Sequence, residues 1–298
     1  MYYGCMNNKE GVAIVVDGGS SARKSLQFPE VLAGRVEVMS LDLQFPKDGG
    51  WETYPGLDIP DEEFYRRMGS SKILPQTSGA ILGRATETYQ RLAAETNDIV
   101  SIHITSEHSA SFDNGVTAAG EVEKANPGLR IRVVDSRNLS IATWFLAEQA
   151  AAMALEGATA SDIERVTLDT IPNLQTDVML ETLDNIVNGG RLSPIQGWVG
   201  GILKFRPIIA VVDGKIERVS RPRSTSAAMK ELVSRAEKRE GKVVKLAVVH
   251  ANNPDGAGNL ADLAGNFFPR EDIRIYEAGS VIGVHTGVGA LGLVAQRK

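Results

Sequence analysis

The stretch Val12-Ala13-Ile14-Val15-Val16-Asp17-Gly18-Gly19-Ser20-Ser21 decides the fold class. Val12 to Val16 is wholly apolar and mostly β-branched. It shows no polar alternation, so it reads as a short strand buried on both faces that runs into a turn. The same order recurs twice further on. Ile99 to Ile104 leads into a Ser-rich turn and a helix from about Phe112 to Lys124. Ile131 to Val134 ends at Asp135-Ser136, before an Ala-heavy helix from Leu139 to Leu155. Buried strand, turn and helix in succession give the α/β class, a parallel sheet with helices on both faces. Ligands of such sheets collect at the carboxyl ends of the strands, and the three Asp/Ser turns all follow strands.

Between these units, Val36 to Leu43 reads as a strand and the Gly/Pro/Asp-rich stretch from Phe45 to Ile59 as a hairpin or surface loop. A helix is predicted over Ser78 to Thr96, where Ile81, Ala85, Tyr89, Leu92 and Thr96 share one face. The second half has another texture. Ser161 to Val187 reads as helical with a break near Pro172, ending at Gly189-Gly190-Arg191. Phe205 to Val212 and Lys215 to Ser220 are strands joined at Asp213-Gly214, a hairpin signal. Thr225 to Arg239 and Asn259 to Phe267 read as helices, and Val243 to Val249, Ile273 to Tyr276 and Ser280 to Val284 as strands. A hairpin among helices predicts a mixed sheet. The expected division is therefore a parallel α/β domain over residues 1–165 and an α+β mixed-sheet domain over 166–298.

Composition narrows the function classes. The 298 residues are 43% hydrophobic and 23% charged with a formal net charge of -5, and the basic residues are scattered, which argues against nucleic acid as partner. The lone cysteine, Cys5, has no neighbours at metal-ligand spacing, and the N-terminus lacks a signal pattern. No apolar run reaches the roughly 20 residues of a membrane helix. A cytoplasmic protein without metal or cofactor is the expectation.

Four clusters carry chemistry. Thr77-Ser78 stands at an expected helix start, where hydroxyls serve either as an N-cap or as part of an anion site. Thr105-Ser106-Glu107-His108-Ser109-Ala110-Ser111 holds four hydroxyls, more than one cap requires, although Ser/Thr turns are common. Gly283-Val284-His285-Thr286-Gly287-Val288-Gly289 is glycine-dense, and His285 is either a donor to a carboxylate, a general base, or incidental to a tight turn. It is no P-loop, since the Gly-Lys-Ser/Thr ending is missing. Arg191 follows a helix end, where arginine suits the helix dipole or forks onto an acidic head group. No Gly-x-Ser-x-Gly elbow supports a hydrolase built from Asp17, His285 and a serine.

Taken in order, these clusters resemble the DegV family of bacterial lipid-binding proteins. The likeness rests on Val15-Val16-Asp17 with Ser20, Phe64-Tyr65-Arg66-Arg67-Met68 followed by Pro75, Thr77 and Ser78, Thr105-Ser106 with Ser109 and Ser111, and Val134-Asp135-Ser136. It continues through Gly189-Gly190-Arg191-Leu192-Ser193, Lys204-Phe205-Arg206-Pro207-Ile208, Asp213-Gly214, Arg221 to Arg223, and Ile282 to Ala290. The resemblance implies a Rossmann-like N-terminal domain, a mixed-sheet C-terminal domain, and a long-chain fatty acid between them with its carboxylate on hydroxyl groups. It places Thr77, Ser109 and His285 at the head group, with Ser78, Ser106, Thr286 and Arg191 close by. It further implies a non-catalytic subunit that presents the carboxylate to a separate ATP-binding kinase subunit for conversion to an acyl phosphate. Arg221 and Arg223 are candidates for docking that partner. The alternative is a phosphotransfer enzyme subunit related to dihydroxyacetone kinase. Gly79-Ala80, Glu107-His108 and Ala110-Ser111 depart from the family pattern. Glu107 and His108 bring polarity to the expected pocket mouth.

Overall fold

In the computed structural model of the chain, which describes residues 11–21, 36–71, 73–78, 81–191 and 205–298, the opening apolar run is β1 (Val12–Asp17). The chain continues through β2 (Val36–Met39), β3 (Asp42–Lys47), β4 (Gly50–Pro55), α1 (Asp61–Ser70), β5 (Gln76–Ser78) and α2 (Ile81–Leu92). Then come β6 (Asp98–His103), α3 (Ser111–Ala125), β7 (Arg130–Asp135), α4 (Ile141–Leu155) and α5 (Ala160–Thr170). The second half holds β8 (Leu174–Met179), α6 (Asp184–Asn188), β9 (Ile208–Val212), β10 (Lys215–Ser220), α7 (Thr225–Lys238) and β11 (Val243–His250). It closes with α8 (Pro254–Ala264), β12 (Arg274–Glu277), α9 (Ser280–Thr286) and β13 (Leu291–Arg297).

Three sheets result. The first is wholly parallel in the order β2-β1-β6-β7, with Val16 opposite Ile102 and Ile102 opposite Val134. The second is mixed, in the order β10-β9-β8-β13-β11-β12, and only β11 and β12 run parallel in it. A small antiparallel sheet, β4-β3-β5, stands beside them.

The central helix α4 explains how the large sheets meet. Its sequence is apolar all round, and Ile141 through Glu148 are buried. Such a helix has no face to give to water and must be covered on every side. It packs on β1 and β6 of the parallel sheet and on β8 and β13 of the mixed one. Its one carboxylate, Glu148, accepts from Lys245 Nζ at 2.7 Å and Arg274 Nη1 at 2.5 Å. Burial pushes the Glu148 carboxyl up, but the two cations outweigh it and hold the group below its ordinary value. The far face of the mixed sheet carries a second apolar core under α7 and α8, with Leu232, Val248 and Leu260 fully buried.

Several expectations need correction. Val36 to Leu43 is not one strand: β2 belongs to the parallel sheet, and the chain then turns into β3 of the small sheet. Of the two readings of Phe45 to Ile59, the hairpin holds, as β3-β4. Thr77-Ser78 does not open a helix, since both residues lie in β5 and α2 starts at Ile81. The long helix over Ser161 to Val187 ends at Thr170, and after a short 3-10 turn the chain forms β8, a strand inside the mixed sheet. Ser280 to Val284 is helical, as part of α9. The strand β13, paired on both sides, was not anticipated. Cys5, Gly79-Ala80, Leu192-Ser193 and Lys204 lie outside the described residues.

Candidate functional site

The carboxyl ends of the parallel strands face one side of the mixed sheet across a cavity of about 190 Å³. A water needs roughly 10–15 Å³ measured this way, so the space admits on the order of a dozen such groups. Its floor comes from alternate residues of the mixed sheet: Thr176 and Val178 of β8, Ile209 and Val211 of β9, Val249 of β11, and Gly292 and Val294 of β13. Period-two alternation puts these on one sheet face. Leu41, Ile104, Leu139 and Ser140, which follow β2, β6 and β7, close it from the other side. Two polar side chains along this wall are already engaged. Thr176 Oγ1 donates to Asn138 Oδ1 at 2.7 Å, and Ser140 Oγ bonds Ser21 Oγ at 2.8 Å. His250 also lines the cavity, its Nδ1 accepting from Asn253 N at 3.2 Å, and most of the remaining wall is apolar surface.

At one end the character changes. Thr77 (β5), Ser109 (the turn before α3), Arg191 (just after α6) and His285 and Thr286 (the end of α9) all line the cavity. Thr77 Oγ1 and His285 Nε2 are 3.1 Å apart. Burial, then the positive charges of Arg191 and His108, lower the His285 pKa to about 4, so the ring is neutral at pH 7. Its Nδ1 is buried and without a partner among the described residues. Gly189 makes room for it: a Cβ there would stand 2.4 Å from Nδ1. With no acceptor at Nδ1, the economical tautomer keeps the proton on Nε2 and gives it to Thr77, whose own hydroxyl hydrogen is then free to point into the cavity.

Arg191 donates from Nη1 to Gly189 O at 2.6 Å and from Nε to His108 O at 3.3 Å. These bonds all go to carbonyl oxygens, with no carboxylate among the described residues, and burial lowers its pKa. A half-buried guanidinium bound only to carbonyls retains its full charge for an incoming anion. Ser109 Oγ accepts from Ser111 N at 3.2 Å, which leaves its hydroxyl hydrogen unspent. Thr286 Oγ1 donates back to Ile282 O at 3.1 Å.

The other expected residues are placed differently. Ser106 lies outside the cavity, in an adjoining outer cleft, and gives its hydroxyl to Asp135 Oδ2 at 2.7 Å. The Ser78 side chain is outside the described residues. Arg221 and Arg223 are exposed and line neither space, and the Arg221 guanidinium sits 5.3 Å from the Phe205 ring centre.

Behind the Ser-rich turn lies a network that sequence reading did not find. Asp17 Oδ1 accepts from Gly19 N at 2.9 Å, and Oδ2 accepts from Ile104 N at 3.0 Å and Ser111 Oγ at 2.5 Å. His103 Nδ1 lies 2.8 Å from Ser111 Oγ, and its Nε2 is 2.9 Å from Ser101 Oγ. Tyr89 donates to Ser101 Oγ at 2.7 Å. Tyr89, Ser101, His103, Ser111 and Asp17 are all fully buried, and burial raises the Tyr89 pKa. The donors run one way, from Tyr89 through Ser101, His103 and Ser111 to Asp17. The visible signal was an Asp closing β1 and a His closing β6, at neighbouring strand ends.

Comparisons with known proteins give the family and the fold. The family model described as "Uncharacterised protein, DegV family" matches residues 11–298. A DegV domain-containing protein of Halalkalibacterium halodurans is 34% identical over 263 residues, 87% of this chain and 90% of the relative. Among solved structures, a DegV family protein from Ruminococcus gnavus, refined with vaccenic acid, superposes with a TM-score of 0.84 at 20% identity, covering 95% of this chain and 99% of the other. DegV of Bacillus subtilis, described as a fatty acid binding protein, gives 0.81 at 24% identity, covering 97% and 99%.

Proposed function

The chain belongs to the DegV family, and on that premise we propose that it holds a long-chain fatty acid in the cavity between its parallel and mixed sheets. The observation that carries the proposal is a mostly apolar cavity with Thr77, Ser109, Arg191 and His285 gathered at one end. The acyl chain lies along Val178, Ile209, Val211, Val249 and Val294. Each buried methylene contributes about 0.8 kcal/mol, so a long chain supplies most of the affinity.

The carboxylate sits at the polar end. It accepts from the Thr77 hydroxyl, which His285 Nε2–H turns toward the ligand, and from Ser109, with the Arg191 charge beside it. Several donors at once offset the loss of hydration that a half-buried carboxylate suffers. His285 therefore acts as an orienting donor, with Thr77 as the direct contact. Thr286 spends its hydroxyl inside α9, so its part is to shape the wall.

In this proposal the protein binds and does not catalyse by itself. A separate ATP-binding subunit reaches the carboxylate through the outer cleft. A carboxylate oxygen attacks the γ-phosphorus, ADP leaves, and the acyl phosphate remains in the cavity. Arg221 and Arg223 dock that subunit, and the units divided near residue 165 supply the two walls of the binding space. Mass spectrometry of an organic extract of the purified protein tests the reading. Recovery of fatty acid near one equivalent supports it. No fatty acid in the extract, together with no thermal shift on adding palmitate, would overturn it.

A further inference from the structure

β10 is the edge strand of the mixed sheet, so the backbone N–H groups on its outer side have no neighbouring strand. One of them, Ile216 N–H, donates to His108 Nε2 at 2.9 Å. A side chain from the Ser-rich turn thus covers the open edge of a strand more than 100 positions away. The same turn and the one after β7 grip the hairpin tip. Thr105 Oγ1 donates to Gly214 O at 2.9 Å, and Arg137 Nη2 donates to Asp213 O. Gly214 has a φ of +85°, and a Cβ there would stand 2.7 Å from Thr105 Oγ1, so only glycine lets the tip come this close.

Where the His108 bond lies gives it a further role. His108, Ser109, Arg191 and Ile216 border both the cavity and the outer cleft. The bond therefore crosses the boundary between the binding space and solvent. Ile216 itself faces the cavity, and β9 of the same hairpin carries Ile209 and Val211. Loosening β10 opens that wall.

We propose that His108 is a positioning residue, a clasp that holds the β9–β10 hairpin shut over the cavity mouth and sets how fast the occupant exchanges. The proposal deepens the fatty-acid reading and, for its effect on exchange, rests on it. The clasp works only while Nε2 carries a lone pair, since a protonated ring has no acceptor for Ile216 N–H. Burial lowers the His108 pKa, with Glu107 raising it and Arg191 lowering it again. Lys215 and Glu217 of β10, Asp113 of α3 and the neutral His285 of α9 are the other titratable groups around it. The bond is thus intact at pH 7 and lost in acid.

The test reads hydrogen exchange of the 213–220 segment, corrected for intrinsic rates, and release of bound palmitate, each followed from pH 7.5 downward until His108 itself has titrated by NMR. Wild type is compared with His108→Gln, whose amide oxygen accepts at any pH, and with His108→Ala. The expected result in wild type is loss of Ile216 protection as His108 takes up its proton and roughly tenfold faster release, the worth of about one hydrogen bond. The Gln variant should stay protected and slow across the range, and the Ala variant should be fast throughout. Other groups and the ligand carboxyl titrate in all three proteins, so the difference between wild type and Gln isolates His108. Equal protection in all three proteins overturns the clasp, and unequal protection with equal release overturns its control of exchange. A protein that takes up no palmitate defeats the fatty-acid reading, while exchange at 213–220 still decides the clasp.

Discussion

Two histidines in this molecule keep similar company and do different work. His103 and His285 each bond a hydroxyl, and each stands near the carboxyl ends of the parallel strands. Around His103, donors and acceptors match one for one, and the chain ends on a carboxylate that takes three N–H or O–H groups. Nothing is left over and nothing is exposed. Around His285, among the described residues, one ring nitrogen has no partner, a guanidinium has no carboxylate, and the site opens to a cavity. A satisfied, sealed network fixes the position of a turn, whereas an unfinished one at a cavity has capacity for a ligand.

Breaking the sealed side should have the largest effect. Asp17→Ala orphans Gly19 N–H, Ile104 N–H and the Ser111 hydroxyl in the core. It should cost roughly 3–5 kcal/mol of unfolding free energy in urea. Acid acts on the open side through His285. The His285 value of about 4 lies below the 6.5 of an unfolded chain, so the unfolded state takes up the proton first. Stability from this group is complete above pH 6.5 and falls as pH drops to about 4, by up to about 3 kcal/mol. His285→Gln should lack that part of the slope when urea midpoints are compared at pH 7.5 and 4.5.

On the open side, Thr77→Val keeps shape and strand propensity but removes the hydroxyl. Palmitate affinity should fall roughly ten- to a hundredfold by calorimetry, while unfolding free energy drops by about 1–2 kcal/mol, because the buried His285 Nε2–H loses its acceptor. The smallest effects belong to Arg221→Ala and Arg223→Ala. They should leave stability within about 0.5 kcal/mol and palmitate affinity unchanged. Only salt-sensitive association with an ATP-binding subunit should weaken, as a pulldown at two ionic strengths would show.

How far the sequence disclosed this contrast varied with how local the cause was. β1 was legible because Val12 to Val16 is unbroken apolar sequence, and β6 and β7 because Ile and Val dominate them despite Ser101 and Arg132. β8 was not, because Leu-Gln-Thr-Asp-Val-Met carries three polar residues in a central strand. Two of them find partners from afar: Thr176 meets Asn138, and Asp177 meets Arg235 of α7 at 3.0 Å. Ser280 to Val284 reads as strand on its β-branched residues, yet Ser280 Oγ bonds Gly56 O and Tyr65 bonds Ala278 O, and this anchoring fixes the helix start. Tertiary contacts override weak local propensity there.

The candidate site was legible as four clusters of suitable residue types, and the resemblance joined them. Their pairing across 208 positions, Thr77 with His285, has no local signal. Nor did Glu107-His108 reveal its use, since the partner is a backbone N–H on an edge strand. The Asp17–His103 network could have been suspected from adjacent strand ends, but its closure by Ser111 depends on where α3 begins.

The measurement that bears most directly on the open site is carbon-13 NMR of carboxyl-labelled palmitate bound to the protein. The account predicts one bound carboxyl resonance that moves in Thr77→Val and stays in place in Arg221→Ala. A bound resonance unaffected by Thr77→Val would contradict it.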